Sequence, residues 1–472
     1  MSPNTEFVFH LYHTFEHFKE GSLHRRAITH QDVLFNVGRF RGNQAWNVSS
    51  VGYSELGKEI HLLSTGTGPI KIFLWSQMHG DESTATRALF DIMNFMQWPT
   101  GYHHIVDEIR YRTTLYFLPM LNPDGAEVFQ RRNAYGIDIN RDVLRQMSSE
   151  ARVLMKVFDD IHPDFAFNLH DQSTLYSVGQ SEKQVGLAFL APPFDEMRTV
   201  NQGRERAMQV IAGMKKTADY FIPGHCARYA DDFEPRAYGD TFQLKGASTV
   251  LVESGGWKND EEKEFVRKNT GIVLLSALHD IARNHTQNYP VNDYFEIPEN
   301  AKFLFDVLLK NLKLRINDRL IDLDIGINYY ETLSPADRTF FYSGKIEDIG
   351  DLSLYHGINE YSLDDYEILP ETIYTEVVKS GKSLMQLDVD RLHREGIMGV
   401  IMRDISEIPE FFRFPLNIYS GSKRLDFFTL IIGEPAQFRL HKNIGEEILV
   451  INGHLFDVFT KSGTVRNGTI IR

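Results

Sequence analysis

The sequence predicts an α/β fold in which a mixed, mostly parallel, twisted sheet has helices on both faces, followed by a β-rich C-terminal domain. Between about residues 30 and 290, short apolar and β-branched runs alternate with longer amphipathic segments, as in α/β proteins. After residues 284–300, short strand-like runs separated by Asn-Gly or Ser-Gly turns replace the long helical segments. We therefore place a boundary near residue 298, between an α/β domain, 1–298, and a β-rich domain, 299–472.

Five apolar runs predict the central strands, and four amphipathic segments predict the helices that cover them. The strand runs end in polar, Gly or Pro residues, as strands buried on both faces do; they are "KIFLWSQM", "TTLYFLPML", "DFAFNLH", "VGLAFLAP" and "STVLVESG". The helical segments carry apolar residues at three- and four-residue spacing; they are "DESTATRALFDIMNFMQW", "SSEARVLMKVFDDIH", "VNQGRERAMQVIAGMKKTADYF" and "NTGIVLLSALHDIARNH".

Composition and net charge indicate a globular protein and argue against some classes of partner. A chain of 472 residues with 42% hydrophobic and 24% charged residues is typical of a globular protein with more than one core. Its net charge of -14 argues against a nucleic-acid or anionic-membrane partner. We see neither a signal-type N-terminus nor a long apolar run, and the single cysteine, Cys226, excludes an internal disulfide. These features predict a cytoplasmic protein without a transmembrane segment.

A His-x-x-Glu pair can supply an imidazole nitrogen and a carboxylate oxygen to one zinc ion. The chain contains three matches: His13 with Glu16, His17 with Glu20, and His79 with Glu82. The first two lie in "LYHTFEHFKE", where the spacing is typical of ordinary pairs on a helix surface. The third follows the apolar run "IKIFLWSQM" and precedes a helical pattern. It therefore lies at the carboxyl end of a strand, where open α/β sheets build their sites.

Two other predicted strands end in side chains of the same kind. His170 closes "DFAFNLHDQS", and Glu253 lies at the end of "STVLVESGGW". One such residue alone would usually be a hydrogen-bonded structural residue. Three strands that bring such groups to one edge of a sheet instead predict a catalytic zinc site, with His79, Glu82 and His170 as ligands and an open position for water. Glu253 is then left as the general base.

The segment "NPDGAEVFQRRNAYGIDINRD", residues 122–142, adds positive charge to an acidic chain. Arg131, Arg132 and Arg141 lie beside Asn140 and Asp138. A guanidinium next to a carboxamide suits a substrate carboxylate. The alternative interpretation is an Arg/Asp network on the surface of a loop.

These motifs together resemble one known family. "HGDE" after a strand, then "RRNAYGIDINRD", "FNLHDQ" and "TVLVESGG", occur in the order found in zinc carboxypeptidases, the M14 or carboxypeptidase A-like metallopeptidases. "VGYSELGKEIHLL" also resembles the strand pair that precedes the metal loop in that family. The resemblance covers roughly residues 40–285. It implies one Zn²⁺ per chain and hydrolysis, by a metal-activated water, of an amide bond next to a free carboxylate in a peptide or small amide substrate.

The resemblance also implies roles for the charged loop. Arg131, with the adjacent Arg132 as its rival, matches the arginine that polarises the scissile carbonyl. Asn140 and Arg141 match the pair that binds the terminal carboxylate of the substrate. Asp138 matches the acid that accepts a hydrogen bond from the first zinc histidine and so selects its tautomer.

The sequence departs from the family pattern in two places. The Asn-Arg pair continues as "NRDVLRQ" instead of the usual Asn and aromatic residue, so the pocket beside it differs. The mobile tyrosine that closes over the substrate in the family has two candidates here, Tyr229 and Tyr238.

Three functions stay open at this point. A carboxypeptidase-like metallopeptidase, which includes murein-peptide amidases, fits the motifs. A deacylase of N-acyl amino acids, similar to aspartoacylase and succinylglutamate desuccinylase, would share the metal site and change the substrate. A non-catalytic binding protein would be expected to have lost a zinc ligand or the base, and the sequence retains all of them.

Overall fold

The computed structural model describes residues 3–99, 101–421, 430–443 and 445–471. The chain divides into two compact units, Met1–Lys302 and Phe303–Arg472, each with its own apolar clusters. The domain boundary that the sequence predicts, near residue 298, lies close to this division.

The first unit is built on a mixed eight-stranded sheet. Its strands and a short outlying pair are β1 (Asn47–Tyr53), β2 (Glu59–Gly66), β3 (Ile70–Ser76), β4 (Thr113–Leu118), β5 (Phe165–Asp171), β6 (Ser177–Val178), β7 (Leu187–Leu190), β8 (Cys226–Arg228), β9 (Ser248–Ser254) and β10 (Asn300–Ala301). The order in the sheet is β1-β2-β4-β3-β5-β9-β7-β8, and β6 pairs with β10 outside it. The pairs β3–β4, β3–β5, β5–β9 and β7–β8 are parallel, and the other three are antiparallel. This architecture confirms the predicted α/β class.

Helices cover both faces of this sheet. They are α1 (Pro3–Phe18), α2 (His30–Gly38), α3 (Thr84–Gln97), α4 (His103–Arg112), α5 (Pro123–Glu127), α6 (Ser149–Ile161), α7 (Gln202–Ala218), α8 (Tyr238–Leu244), α9 (Glu264–Ala282) and α10 (Val291–Phe295). Successive side chains of a strand point to opposite faces. In β3, Ile72 and Leu74 accordingly join the apolar cluster that contains α3 and α9, whereas Phe73 and Trp75 join the cluster that contains α6 and α8. Burial on both sides explains why β3 is nearly all apolar.

A buried arginine ties the N-terminal segment to the helices behind the sheet. Arg267, on α9, is fully buried and binds both carboxylate oxygens of Asp91 on α3, at 2.8 and 2.7 Å. Its other N–H groups donate to the backbone carbonyls of Leu23, at 2.6 Å, and Glu20, at 2.9 Å. Because α3 begins two residues after Glu82, this clamp holds the helix that follows the predicted metal loop.

The second unit is β-rich, as predicted, and its described residues form two sheets. Its elements are β11 (Leu304–Ile316), β12 (Arg319–Leu333), β13 (Phe340–Gly350), β14 (His356–Ser362), β15 (Glu367–Leu369), β16 (Ile373–Val378), α11 (Gly381–Leu384), α12 (Val389–Arg394), β17 (Gly399–Met402), β18 (Asn417–Ser420), β19 (Phe438–His441), β20 (Glu447–Ile451), β21 (His454–Asp457) and β22 (Ile470–Ile471). The larger sheet has the order β13-β12-β11-β15-β19-β20-β21, with β14 also paired to β11. The smaller sheet, β16-β17-β18-β22, is parallel. Sequence reasoning missed this parallel sheet because its strands and helices are short.

One predicted turn in this unit has a clear backbone reason. Asn452 and Gly453 join β20 to β21 and have φ values of 50° and 78°. A two-residue hairpin turn with positive φ at both positions matches the twist of its strands, and Asn-Gly is the favoured pair for it. None of the helices in the described part of either unit is long and apolar enough to cross a membrane.

Replacing Arg267 with Leu tests the buried clamp. We expect the free energy of unfolding to fall by about 3–5 kcal/mol, because the substitution leaves the Asp91 carboxylate buried without its partner. Urea denaturation of the full chain measures this. The matched control is Arg283→Leu, because Arg283 is half-buried and lies 3.8 Å from Glu108, so its loss should cost less than about 1 kcal/mol. Equal losses in the two variants would contradict the role given to the clamp.

Candidate active site

The site lies where three neighbouring parallel strands end. In the sheet, β5 lies between β3 and β9 and is parallel to both. Ser76 at the end of β3 is opposite Leu169, and His170 is opposite Glu253. The chain reaches His79 and Glu82 just beyond β3, so the groups predicted from separate strands lie at one edge of the sheet.

His79, Glu82 and His170 form a buried cluster around one carboxylate. Nδ1 of His79 lies 2.7 Å from Oε1 of Glu82, and Nδ1 of His170 lies 2.7 Å from Oε2. The three possible ligand atoms lie within 4.8 Å of one another. In the described part of the chain, these residues form the only such group of His, Cys, Asp or Glu, so the two N-terminal His-x-x-Glu matches, of which only His13–Glu16 lies wholly on α1, belong to none.

Hydrogen bonds orient the candidate ligands. Asp138 accepts from Nε2 of His79 at 3.2 Å, so a His79 ring with a single proton would carry that proton on Nε2 and direct the lone pair of Nδ1 at the cluster. The same Asp138 oxygen accepts the backbone N–H of Asn140 at 3.0 Å, which holds the carboxylate in place. The backbone N–H of Asp171 donates to Glu82 Oε2 at 3.2 Å.

The electrostatics of the cluster favour an ion pair when no metal is bound. Burial alone would lower the pKa of His79, but the Glu82 and Asp138 carboxylates outweigh burial and raise it to about 9. Burial would likewise raise the pKa of Glu82, but the two histidines hold it well below its usual range. Because metal ligands must be deprotonated, a metal ion that binds here displaces the proton of His79.

The donor set fits zinc. Two imidazole nitrogens and one carboxylate oxygen are the ligands of catalytic zinc sites, which keep a fourth position open. The loop that carries two of the ligands is also tightly packed: a Cβ on Gly80 would lie 2.1 Å from the carbonyl carbon of Gly125 and 2.3 Å from the nitrogen of Ala126. Gly80 therefore allows the metal loop to approach α5 closely.

Glu253 lies beside the cluster with an unpaired oxygen. Its Oε2 is buried and has no hydrogen-bond partner among the described residues. Burial, together with the nearby carboxylates of Glu82 and Asp171, raises the pKa of Glu253 well above its usual range. A divalent cation held by the three ligands would offset that repulsion and favour the ionised form.

The side chains of the adjacent residues Arg131 and Arg132 point in different directions. Nη1 of Arg131 lies 3.1 Å from Nδ1 of His79 and 3.4 Å from Oε1 of Glu82, and its Nε donates to Asp138 at 3.0 Å. Arg132 instead points to the exposed side of the loop and donates to the carbonyl of Gly136 at 3.0 Å. Of the pair, only Arg131 lies at the cluster.

Asn140 and Arg141 form a second polar group near Asp138. The Asn140 side-chain carbonyl accepts the backbone N–H of Tyr238 at 3.1 Å, which directs its Nδ2 group away as a donor. Arg141 donates from Nη1 to the backbone carbonyl of Asn140 at 2.7 Å, and its Nε lies 3.4 Å from Oε2 of Glu234. Both side chains keep donor groups suited to a carboxylate.

The structure contradicts the prediction that Tyr238 is a candidate substrate-binding residue. Its side chain is fully buried, its hydroxyl donates to the backbone carbonyl of Ala151 at 2.9 Å, and its ring packs edge-on against Phe242. A tyrosine held in the core is not available to a substrate. Tyr229 is half-buried, its ring centroid lies 6.1 Å from that of Tyr176, and burial and the charge of Glu253 raise its pKa. Tyr229 is therefore the candidate of the two that lies near the site.

Sequence reasoning missed a buried support behind the ligands. Asp171 accepts from Thr84 Oγ1 at 2.6 Å and from Lys263 Nζ at 3.1 Å, and Lys263 also donates to the carbonyl of Ser254. Asp171 and Lys263 are both buried. The position of Asp171 directly after His170 was a usable signal, whereas Lys263 lies in a charged loop with no local pattern.

The fold and the cluster define a mixed α/β unit with a zinc-type site at the carboxyl edge of its sheet. The family model for zinc carboxypeptidase matches residues 41–174, which confirms the family resemblance of this segment. Family members use one zinc ion, and the His-Glu-His cluster suits that ion. The matched segment contains the three candidate ligands, Arg131 and the Asn140–Arg141 pair, whereas Glu253 lies beyond it.

Individual relatives are distant. Carboxypeptidase 2 of Trichophyton rubrum is 21% identical over 156 residues, which are 32% of this chain and only 27% of that relative. Among solved structures, a metallo-carboxypeptidase from Burkholderia cenocepacia is 19% identical with a TM-score of 0.42, over 54% of this chain and 69% of that one. A metallo-carboxypeptidase from Pseudomonas aeruginosa, in complex with (2-guanidinoethylmercapto)succinic acid, is 18% identical with a TM-score of 0.43, over 54% of this chain and 68% of that one.

Replacing Asp138 with Asn tests how the first ligand is oriented. We expect the protein to bind close to one zinc per chain, and the variant to bind it about 10- to 100-fold more weakly, because His79 loses its charged acceptor. Competition with a chromogenic chelator measures the affinity. Arg132→Gln, in the same loop, should leave the affinity unchanged. An Asp138→Asn variant with wild-type zinc affinity would contradict this role.

Proposed function

We propose that this protein is a zinc-dependent metallopeptidase of the carboxypeptidase type, which hydrolyses an amide bond next to a substrate carboxylate. One observation is the main support for this proposal: the side chains of His79, Glu82 and His170 converge on one point, and Glu253 lies beside them. The family match to residues 41–174 supports it independently. A binding protein without catalysis would have no use for an unpaired, partly buried glutamate next to a metal cluster.

Substrate binding is assigned to the Asn140–Arg141 pair. A terminal carboxylate can accept from the Asn140 amide and the Arg141 guanidinium together, and such charge-assisted bonds are strong and directional. Binding at this point would hold the adjacent amide bond toward the cluster. The rate then benefits from orientation, because the reacting groups meet in a nearly unimolecular step.

Proton transfer is assigned to Glu253. When bound, zinc lowers the pKa of water towards neutrality and polarises a carbonyl oxygen. Glu253 accepts the proton of the attacking water and passes it to the nitrogen of the leaving amine, so one group serves as base and then as acid. Its unpaired Oε2 supports this assignment, since no hydrogen bond from the described residues must be broken first.

Arg131 is assigned to the negative charge that develops on the scissile carbonyl oxygen. Its guanidinium lies at the cluster and its side chain is 44% exposed, so it is accessible from the substrate side. The ion pair of its Nη2 with Asp138, at 3.0 Å, keeps the side chain beside the cluster. Donors that are oriented in advance stabilise such charge without a reorganisation cost. Tyr229, close to Glu253, is assigned to contact with bound substrate.

A substrate panel separates this proposal from a deacylase. Zinc-loaded protein would be tested on peptides with a free C-terminus, on a murein tripeptide and on N-acyl amino acids. Hydrolysis of either peptide class supports the proposal, and hydrolysis confined to N-acyl amino acids would favour a deacylase of the aspartoacylase type. Bound zinc without hydrolysis in any class would favour a binding protein. A cytoplasmic location stays a prediction.

Replacing Glu253 with Gln tests the base. We expect kcat on the best substrate of the panel to fall about 10²- to 10⁴-fold, because the amide cannot accept the proton. The zinc content should stay near one per chain, since Glu253 is not a ligand. Glu182→Gln, at an exposed position of the same unit, serves as the control. A variant with bound zinc and full activity would show that another group is the base.

Replacing each adjacent arginine with Ala tests the oxyanion assignment. Arg131→Ala should lower kcat about 10²- to 10³-fold, as expected when a donor to the developing charge is lost. Arg132→Ala should change kcat less than about twofold, since its side chain only reaches the Gly136 carbonyl. Steady-state kinetics at constant zinc content measure both. The reverse order of effects would assign the role to Arg132.

A further inference from the structure

The guanidinium of Arg141 already holds a carboxylate of its own chain. Nε of Arg141 lies 3.4 Å from Oε2 of Glu234, and Nη1 donates to the backbone carbonyl of Asn140 at 2.7 Å. A carboxylate binds an arginine best through two parallel N–H bonds. Glu234 faces the Nε side of the guanidinium, so a substrate carboxylate that pairs with Nε and Nη2 must displace it, whereas Nη1 has a second N–H and Nη2 has two.

The contact with Glu234 is the looser of the two. It is longer than the bond to the Asn140 carbonyl, and both charged side chains are partly exposed, at 38% and 29%. Exposed ion pairs contribute little to stability and exchange readily. The Asn140 carbonyl belongs to the neighbouring residue and does not move independently.

Glu234 also has a second partner that can keep it once Arg141 is released. Arg236 donates to both of its carboxylate oxygens, from Nε at 2.9 Å and Nη2 at 2.7 Å. Hydrogen bonds from Arg236 hold the pKa of Glu234 below its usual value, so the carboxylate is charged. Because Arg236 still pairs with the Glu234 carboxylate after the exchange, the release of Arg141 costs little free energy.

The backbone of this loop is anchored, so the exchange involves side chains. The N–H of Glu234 donates to Oδ1 of Asp240 at 3.0 Å, and its carbonyl accepts from Ala237 at 2.8 Å. The N–H of Tyr238 donates to Asn140 at 3.1 Å, which ties the end of the loop to the carboxylate-binding pair. Glu234 is thus held opposite Arg141 by the fold itself.

We propose that Glu234 is a specificity-determining residue, which occupies Arg141 in the free protein and is exchanged for the substrate carboxylate, with Arg236 retaining Glu234 after the exchange. This inference rests on the proposed function, because it takes Arg141 as the carboxylate-binding residue. The exchange discriminates between substrates, because only a group that replaces the negative charge of Glu234 displaces it from Arg141. A neutral C-terminal amide does not.

The two partners of Glu234 should change binding in opposite directions. In Glu234→Gln, Arg141 is free, so the affinity for N-acetylphenylalanine should rise about two- to fivefold, the range expected for an exposed ion pair. In Arg236→Gln, Glu234 is left to Arg141 alone, and the affinity should fall by a similar factor. Neither variant should change the affinity for N-acetylphenylalanine amide. A loop that were merely damaged would lose affinity in both variants.

Calorimetric titration of the zinc-loaded full chain with the acid and the amide tests this. Asp232→Asn, which removes an acid of the same loop that pairs with Arg198, is the control and should match wild type. For any hydrolysed peptide, Glu234→Gln should lower KM and leave kcat unchanged. Wild-type protein that binds the acid and the amide equally would overturn the assignment of Arg141 and this inference with it. Clear preference for the acid, with no gain or a loss in Glu234→Gln, would overturn this inference alone.

Discussion

The parallel register of β3, β5 and β9 is the constraint on which the site depends. Neighbouring strands lie about 4.8 Å apart, so side chains at the ends of three adjacent strands fall within about 10 Å of one another. His170 faces Glu253 across β5 and β9, and the chain leaves β3 on the other side toward His79 and Glu82. A slip of one residue in either pairing would turn His170 or Glu253 to the opposite face of the sheet. The apolar residues of these strands, buried against helices on both faces, prevent that slip.

At this edge the fold tolerates charges that a core would not otherwise hold. Glu82 is shared by two imidazoles, Lys263 and Asp171 pair behind them, and one oxygen of Glu253 has no hydrogen-bond partner among the residues that the structure describes. Buried carboxylates that repel one another reduce stability, and functional sites are where such arrangements persist. A divalent cation bound here would explain the arrangement, because it would neutralise Glu82 and relieve the repulsion on Glu253 together. The Arg267 clamp on α3 and α9 provides rigid support nearby.

Much of the fold and of the candidate site was predictable from the sequence, because both depend on local patterns. Apolar runs located β3, β4, β5, β7 and β9, and a polar residue at the end of a buried run identified His170 and Glu253. Spacing alone did not select His79 and Glu82, since the N-terminal segment has the same spacing twice. What the sequence could not supply was long-range packing. Tyr238 looked like a loop tyrosine and is a core residue; β8 is too short to show periodicity; and Lys263 reaches Asp171 only through the tertiary fold.

The proposed function requires that His79, Glu82 and His170 hold one zinc ion next to Glu253. Anomalous diffraction at the zinc absorption edge, from crystals of the zinc-loaded protein, tests it most directly. We predict one strong peak per chain, within bonding distance of both Nδ1 atoms and the Glu82 carboxylate, with Glu253 close by but not bound. A peak at other residues, or no peak at this cluster, would contradict it.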